Sequence, residues 1–201
     1  MKNLPKIFQF GIVSLGMYLI LTLLIFISPV RKVAVTFYNT FQQATFNTFH
    51  PTTRTDFRLY EGDSPNYDYS VYIFGTNEWK SSRDKKSLHP LFILNQNART
   101  TALGPFILLL SLIIASPINY KRKILSFIIG GLLVYFILSM KYTSMIDENA
   151  VVLRPEGWST WVSISKLLNN AFRTQEFLLL MIIPIWAISS LRKQDMKWFL
   201  T

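Results

Sequence analysis

The side chains able to do chemistry are few and scattered. The chain carries two histidines, His50 and His89, and each is followed by proline. A metalloprotease site needs two histidines on one helical face, and no such pair exists. His50 and His89 would make a metal site only with carboxylates brought from elsewhere, and they read more simply as turn residues. Cysteine is absent, which excludes thiol nucleophiles, disulfides and cysteine-based metal sites. Gly130-Gly131 falls inside an apolar run, where it serves packing, and no glycine-rich phosphate loop is present. Glu176 and Lys141 stand at the edges of apolar runs. A charge in mid-bilayer would flag a functional site, and none is found there. The sequence therefore names no catalytic residue, no metal ligand and no cofactor.

What must position these residues is apolar. Half of the 201 residues are hydrophobic, and they are bunched, not spread periodically. The runs cover 7–30, 102–118, 124–140 and 177–191. A membrane span takes about twenty such residues. The second and fourth runs fall short, so 95–101 and 171–176 are expected to extend them. The first run begins after Lys2 and Lys6, as a signal peptide would. It is too long for one, and it ends in Ser28-Pro29-Val30-Arg31-Lys32 instead of a small-residue cleavage site. It reads as a retained anchor.

The expected fold is a membrane protein, a four-helix transmembrane bundle with a small extracytoplasmic α+β insertion between spans 1 and 2. The anchor occupies 1–30, the extracytoplasmic segment 31–101 and a transmembrane hairpin 102–141. A second outer loop with an amphipathic helix occupies 142–175, and the fourth span with a cytoplasmic tail 176–201. Basic residues in short loops mark the cytoplasmic side. Lys121, Arg122 and Lys123 form the turn between spans 2 and 3. Lys2 and Lys6 precede span 1, and Arg192, Lys193 and Lys197 follow span 4. An even number of spans puts all three groups inside. The net charge of +10 is then accounted for by membrane flanks, so no nucleic-acid partner is expected.

In the insertion, Val33, Phe37, Phe41, Ala44 and Thr48 recur at helical spacing, which predicts an amphipathic helix in the interface or continuing the anchor. His50-Pro51 ends it. Segments 56–60 and 67–74 are rich in aromatic and β-branched residues and flank the turn cluster 61–66, which predicts a hairpin. A lone hairpin is marginal and needs further strands, the following segment or another protein. Trp158 and Trp161 suit an interfacial anchor. Phe37, Phe41, Phe46 and Phe49, together with Trp158 and Trp161, are candidates for one outer apolar surface that meets lipid, a lipid-like substrate or a membrane-bound partner. Asn95, Asn97 and Arg99, at the mouth of span 2, are candidates to line it. The small residues Ser126 and Gly130, and Ser111 and Ala115, each four apart, let helices approach closely.

Residues 91–99 enter a span that ends in Ala115-Ser116-Pro117-Ile118-Asn119-Tyr120-Lys121-Arg122-Lys123, and a span containing Gly130 and Gly131 follows. This order of anchor, amphipathic stretch, outer strands, span, Ser-Pro and basic turn, and span resembles the small exosortase-associated membrane proteins and related uncharacterised bacterial inner-membrane proteins. The likeness covers about the first 145 residues in layout, and in residues the region around the basic turn. It implies an accessory role beside an envelope sorting or export system, without catalysis and without functional residues to carry over.

The leading expectation is a non-enzymatic accessory subunit of the bacterial cytoplasmic membrane, with membrane lipid and a membrane protein complex as partners. The alternative is a small-solute or lipid-handling protein or transporter subunit. A membrane enzyme using Asp, Glu, His or Ser stands third.

Overall fold

The structure, a computed structural model, describes residues 5–49, 53–64, 66–81, 88–97, 103–149 and 175–191. Helix α1 (Lys6–Phe26) is mostly apolar and ends where Ile27 turns extended. Helix α2 (Ser28–Phe49) starts at once, with Pro29 in its first turn. Proline is tolerated there because the first turn has no intrahelical partner for its missing N–H. Strands β1 (Thr53–Leu59) and β2 (Tyr69–Gly75) follow, then the short helix α3 (Thr76–Ser81) and strand β3 (Phe92–Gln96). The remaining helices among the described residues are α4 (Gly104–Ala115), α5 (Tyr120–Asn149) and α6 (Gln175–Ser190).

The predicted hairpin is present, with Phe57 opposite Val71 and Thr55 opposite Ile73. The segment 88–101, expected to lead straight into a span, instead supplies a third antiparallel strand, with Leu94 opposite Val71 and Phe92 opposite Ile73. Asn95 and Gln96 therefore do not extend span 2 as helix. The sheet order is β1-β2-β3, and β2 is buried along most of its length.

Helix α2 closes one face of this sheet. Val35, Tyr38 and Phe46 are buried against a surface that includes Phe57, Tyr69, Val71 and Ile73. Tyr69 is the pivot, its ring 6.4 Å from that of Tyr38 and 6.3 Å from that of Phe57. Each such side chain contributes about 1.5–3 kcal/mol on burial. Asn47 then docks the end of α2 onto β1. Its side-chain oxygen accepts from the Thr55 N–H at 2.8 Å, and its amide donates to the Thr55 carbonyl at 3.1 Å. Arg54 donates to the Asn47 carbonyl at 3.1 Å, satisfying a helix-end acceptor.

Helix α4 packs against α1, α5 and α6, and α5 packs against α6. Among the described residues, two helices are long and apolar enough to cross a membrane, α1 and the Tyr120–Lys141 part of α5. The other two predicted spans are shorter, with 12 residues in α4 and 16 in α6. At 1.5 Å per residue they measure about 18 and 24 Å, against about 30 Å of hydrocarbon. Helix α5 runs on to Asn149, so 142–149, expected as loop, is helical.

One end of this helix group is tied by polar contacts. Ser116 Oγ donates to the Leu112 carbonyl and receives Trp186 Nε1–H at 2.8 Å. The Trp186 ring stacks on Phe10 at 5.1 Å. Arg122 donates to the Ser190 carbonyl at 2.9 Å, and Lys123 to the Ile114 carbonyl. Cations at the carbonyl ends of α6 and α4 oppose the negative pole of each helix. The starts of α1 and α5 and the ends of α4 and α6 therefore meet at one end.

The Ser126/Gly130 pair forms the α5–α6 contact. Ser126 is buried and donates to the Ser189 carbonyl at 2.9 Å. A Cβ at Gly130 would lie 3.1 Å from both Leu109 methyls and 3.2 Å from Ser189 Oγ, whereas one at Gly131 would have no neighbour closer than 3.9 Å. Gly131→Ala is expected to raise stability by up to about 1 kcal/mol through helix propensity alone. Gly130→Ala should forfeit that gain, and Gly130→Leu should cost about 1–3 kcal/mol by overpacking. Thermal unfolding of the purified variants measures this. Equal behaviour at the two glycines would refute the close approach.

Candidate functional site

Helix α2 is apolar on two faces, and one of them has no cover among the described residues. Its inner face meets the sheet. On the outer face Val33, Phe37 and Phe41 are 71%, 67% and 53% exposed. Phe37 and Phe41, one turn apart, hold their rings 4.7 Å from each other. Val30, Ile27 and Phe26 are also exposed and carry the apolar surface on towards α1. Phe46, expected on the same surface, is 2% exposed on the inner face, because five residues beyond Phe41 a helix has turned well past the stripe. The Phe49 side chain lies outside the description.

Helix α2 also touches α5. Tyr135 Oη donates to the Phe41 carbonyl at 2.9 Å and meets Thr45 Oγ1. Ser139 Oγ donates to Gln42 Oε1 at 3.4 Å. Gln42, Asn39 and Thr53 are buried here, and Gln42 Nε2, Asn39 Oδ1 and Thr53 Oγ1 have no hydrogen-bond partner among the described residues. A buried polar atom left so costs about 1–3 kcal/mol. The contact between α2 and α5 thus includes polar side chains, Thr45 and Gln42 of α2 with Tyr135 and Ser139 of α5.

A second feature lies at the α1–α2 junction. Arg31 Nε is 3.4 Å from the carboxylate of Asp68, whose side chain is 4% exposed. Arg31, Lys32, Tyr60, Tyr67 and Asp68 surround a recess of about 100 Å³. The two tyrosine rings meet edge to face at 5.3 Å. A Cβ at Gly62 would meet the outer end of the Tyr60 ring, so a larger residue there would displace that ring. Next to this recess in the chain, Val30 lines an apolar groove of about 240 Å³. Leu21, Leu24 and Ile25 of α1 form one wall, and Leu103, Phe106, Ile107 and Leu110 form the other, with Phe127 of α5.

The other predicted site residues fall elsewhere. Asn95 accepts a hydrogen bond from Ser70 Oγ at 2.7 Å. It pairs with Ser70, so it lies on the sheet face opposite Val71, Leu94 and α2. It does not join Phe37 and Phe41. Asn97 follows β3 and is partly buried. Arg99, Trp158 and Trp161 lie outside the described residues, as does His50. His89 is exposed, and no group of three or more His, Asp or Glu among the described residues could hold a metal ion.

Sequence reading missed the junction recess. Its residues come from positions 31–32, 60 and 67–68, with no motif linking them. The one signal was a pair of tyrosines bracketing the 61–66 turn. Compared with known protein families, with curated proteins and with solved structures, the chain matches none.

Proposed function

We propose that the chain is a multi-pass protein of the bacterial cytoplasmic membrane. In this reading α1, α4, α5 and α6 mark four passes, both termini are cytoplasmic, and the α2–sheet unit sits at the outer face. Its function is that of a non-enzymatic accessory subunit, which docks a partner complex or presents a substrate for an envelope sorting or export system.

The observation that carries this reading is the outward apolar face of α2, with Val33, Phe37 and Phe41 exposed on a helix that already has a packed inner face. Exposed apolar stripes of this kind mark membrane or protein contacts. The topology is supported by the shared end of the helix group, which brings Lys121, Arg122 and Lys123 to the start of α1 and the end of α6. Basic residues collect on the cytoplasmic side. Tyr135 lies fifteen residues beyond Tyr120. That is about 22 Å along α5, so Phe41 meets α5 in the outer third of a bilayer about 30 Å thick. Phe37 and Phe41 there face acyl chains or the apolar flank of a membrane partner.

Because the chain has no cysteine, single introduced cysteines report topology without background. In intact cells, a membrane-impermeant maleimide is expected to label Glu61→Cys and to reach Lys121→Cys only after permeabilisation. The reverse pattern, or equal labelling of both, overturns the topology. For docking, a complex purified from native membranes should lose its partner when Phe37 and Phe41 are both changed to Ser, with retention reduced at least about tenfold, as for aromatic anchors generally. Unchanged retention of the same partner removes the docking role from this face.

A further inference from the structure

The two edges of the sheet are finished differently. Strand β1 carries Arg54, Asp56 and Arg58 along its length. Asn47 also occupies the outer backbone of this strand, accepting from the Thr55 N–H at 2.8 Å and donating to the Thr55 carbonyl at 3.1 Å. Charges and plugs of this kind stop a further strand from adding. On β3 neither device is present. Leu91 to Asn97 carries no charged residue, and Pro90 stands before the strand, not on it. Among the described residues no strand or side chain pairs with the outer edge of β3.

The ladder decides which groups face outward. Tyr60 N–H donates to the carbonyl of Asp68, the next pair in the β1–β2 register, at 3.1 Å. Hydrogen-bonded pairs recur at every second position. Ser70, Tyr72 and Phe74 therefore bond to β1, while Val71 and Ile73 turn to β3, where Leu91 N–H reaches the Ile73 carbonyl at 2.8 Å. Phe92 and Leu94 stand opposite Ile73 and Val71, so their backbone groups face β2. The N–H and C=O groups of Ile93 and Asn95 then point away from the sheet. The side chains are equally unfinished. Val71 and Ile73 are fully buried, but Leu94 and Phe92 beside them are only partly so, and Ile93 is 47% exposed.

We propose that the β3 edge receives an extended peptide segment of a partner protein as a fourth strand. Only an extended backbone offers a donor and an acceptor at every second residue, the spacing of Ile93 and Asn95. The segment is uncharged and apolar at alternate positions, because its inward side chains continue the row Phe57, Val71 and Leu94 beneath α2. A second copy of β3 fits less well. Antiparallel pairing through the same groups sets Ile93 against Asn95 of the copy, an amide that already accepts from Ser70. The inference is separate from the Phe37–Phe41 face and does not depend on the membrane topology proposed above.

Residue-resolved amide hydrogen exchange on the full chain in mild detergent tests the proposal. The probe is a synthetic nonapeptide of alternating valine and threonine, kept soluble by a short polyethylene glycol tail. In the chain alone, the Leu94 amide is expected to be protected and those of Ile93 and Asn95 to exchange at least about tenfold faster. The peptide at about 1 mM is expected to slow Ile93 and Asn95 at least about fivefold, the protection given by a Kd of about 0.25 mM. The same peptide methylated at every backbone nitrogen should have no effect. Ile93→Pro removes an outward donor and leaves the β2 ladder intact, so it should unfold at an unchanged temperature and lose the peptide effect at Asn95. The methylated peptide makes the same test on the unaltered chain. No slowing by the peptide, or equal slowing by its methylated form, overturns the proposal. Protection of Ile93 and Asn95 in the chain alone overturns it too, and native mass spectrometry then assigns the edge to a second copy if the chain is a dimer and to the chain itself if it is a monomer.

Discussion

The packing of α2 on the sheet is the constraint on which the rest depends. A short sheet is stable in water only with an apolar face to bury or a helix to pack on. Here they gain a core by setting Phe57, Tyr69, Val71 and Ile73 against Val35, Tyr38 and Phe46. Because α2 follows α1 after a single extended residue, this core is tethered to the first apolar helix. Asn47 fixes the other end of α2 by pairing with the Thr55 backbone as a neighbouring strand would. With both ends held, the rotation of α2 about its axis is set, and Val33, Phe37 and Phe41 are turned outward. The exposed face is thus a consequence of the inner packing.

The opposite end of the molecule is organised by different physics. There Arg122 and Lys123 reach the last carbonyls of α6 and α4, and Ser116 receives the indole N–H of Trp186. The Ser-Pro and basic turn, read in the sequence as a topological signal, is equally a set of helix caps. The same cations also oppose the negative poles of the helix ends beside them.

Much of this was legible because it rests on local pattern. The hairpin showed itself through β-branched and aromatic runs flanking a turn cluster, and α1 through its unbroken apolar length. The third strand did not. Phe92–Gln96 spans five residues, and its apolar members run into the approach to α4, so a period of two was hidden. In α2 the stripe at 33, 37 and 41 is visible in the sequence, but a competing stripe at 35, 38 and 46 runs beside it, and Phe46 belongs to that inner stripe. Asn39 and Gln42 are buried against the usual exposure of amides, which no local pattern announces. The junction recess was beyond reach, since its residues converge only after the sheet has formed.

The seam between α4, α5 and α6 has a consequence for the order in which the chain matures. Helix α6 is made after α5, yet Ile182, Ile185 and Trp186 are buried in the group, and the backbone at 189 and 190 receives Ser126 and Arg122. Until α6 arrives, Gly130 faces a gap and two of the donors at the basic end lack their acceptors. A chain halted after α5 would therefore leave the surface around Gly130 and Ser126 uncovered, so α4 and α5 complete their packing only once α6 has been made.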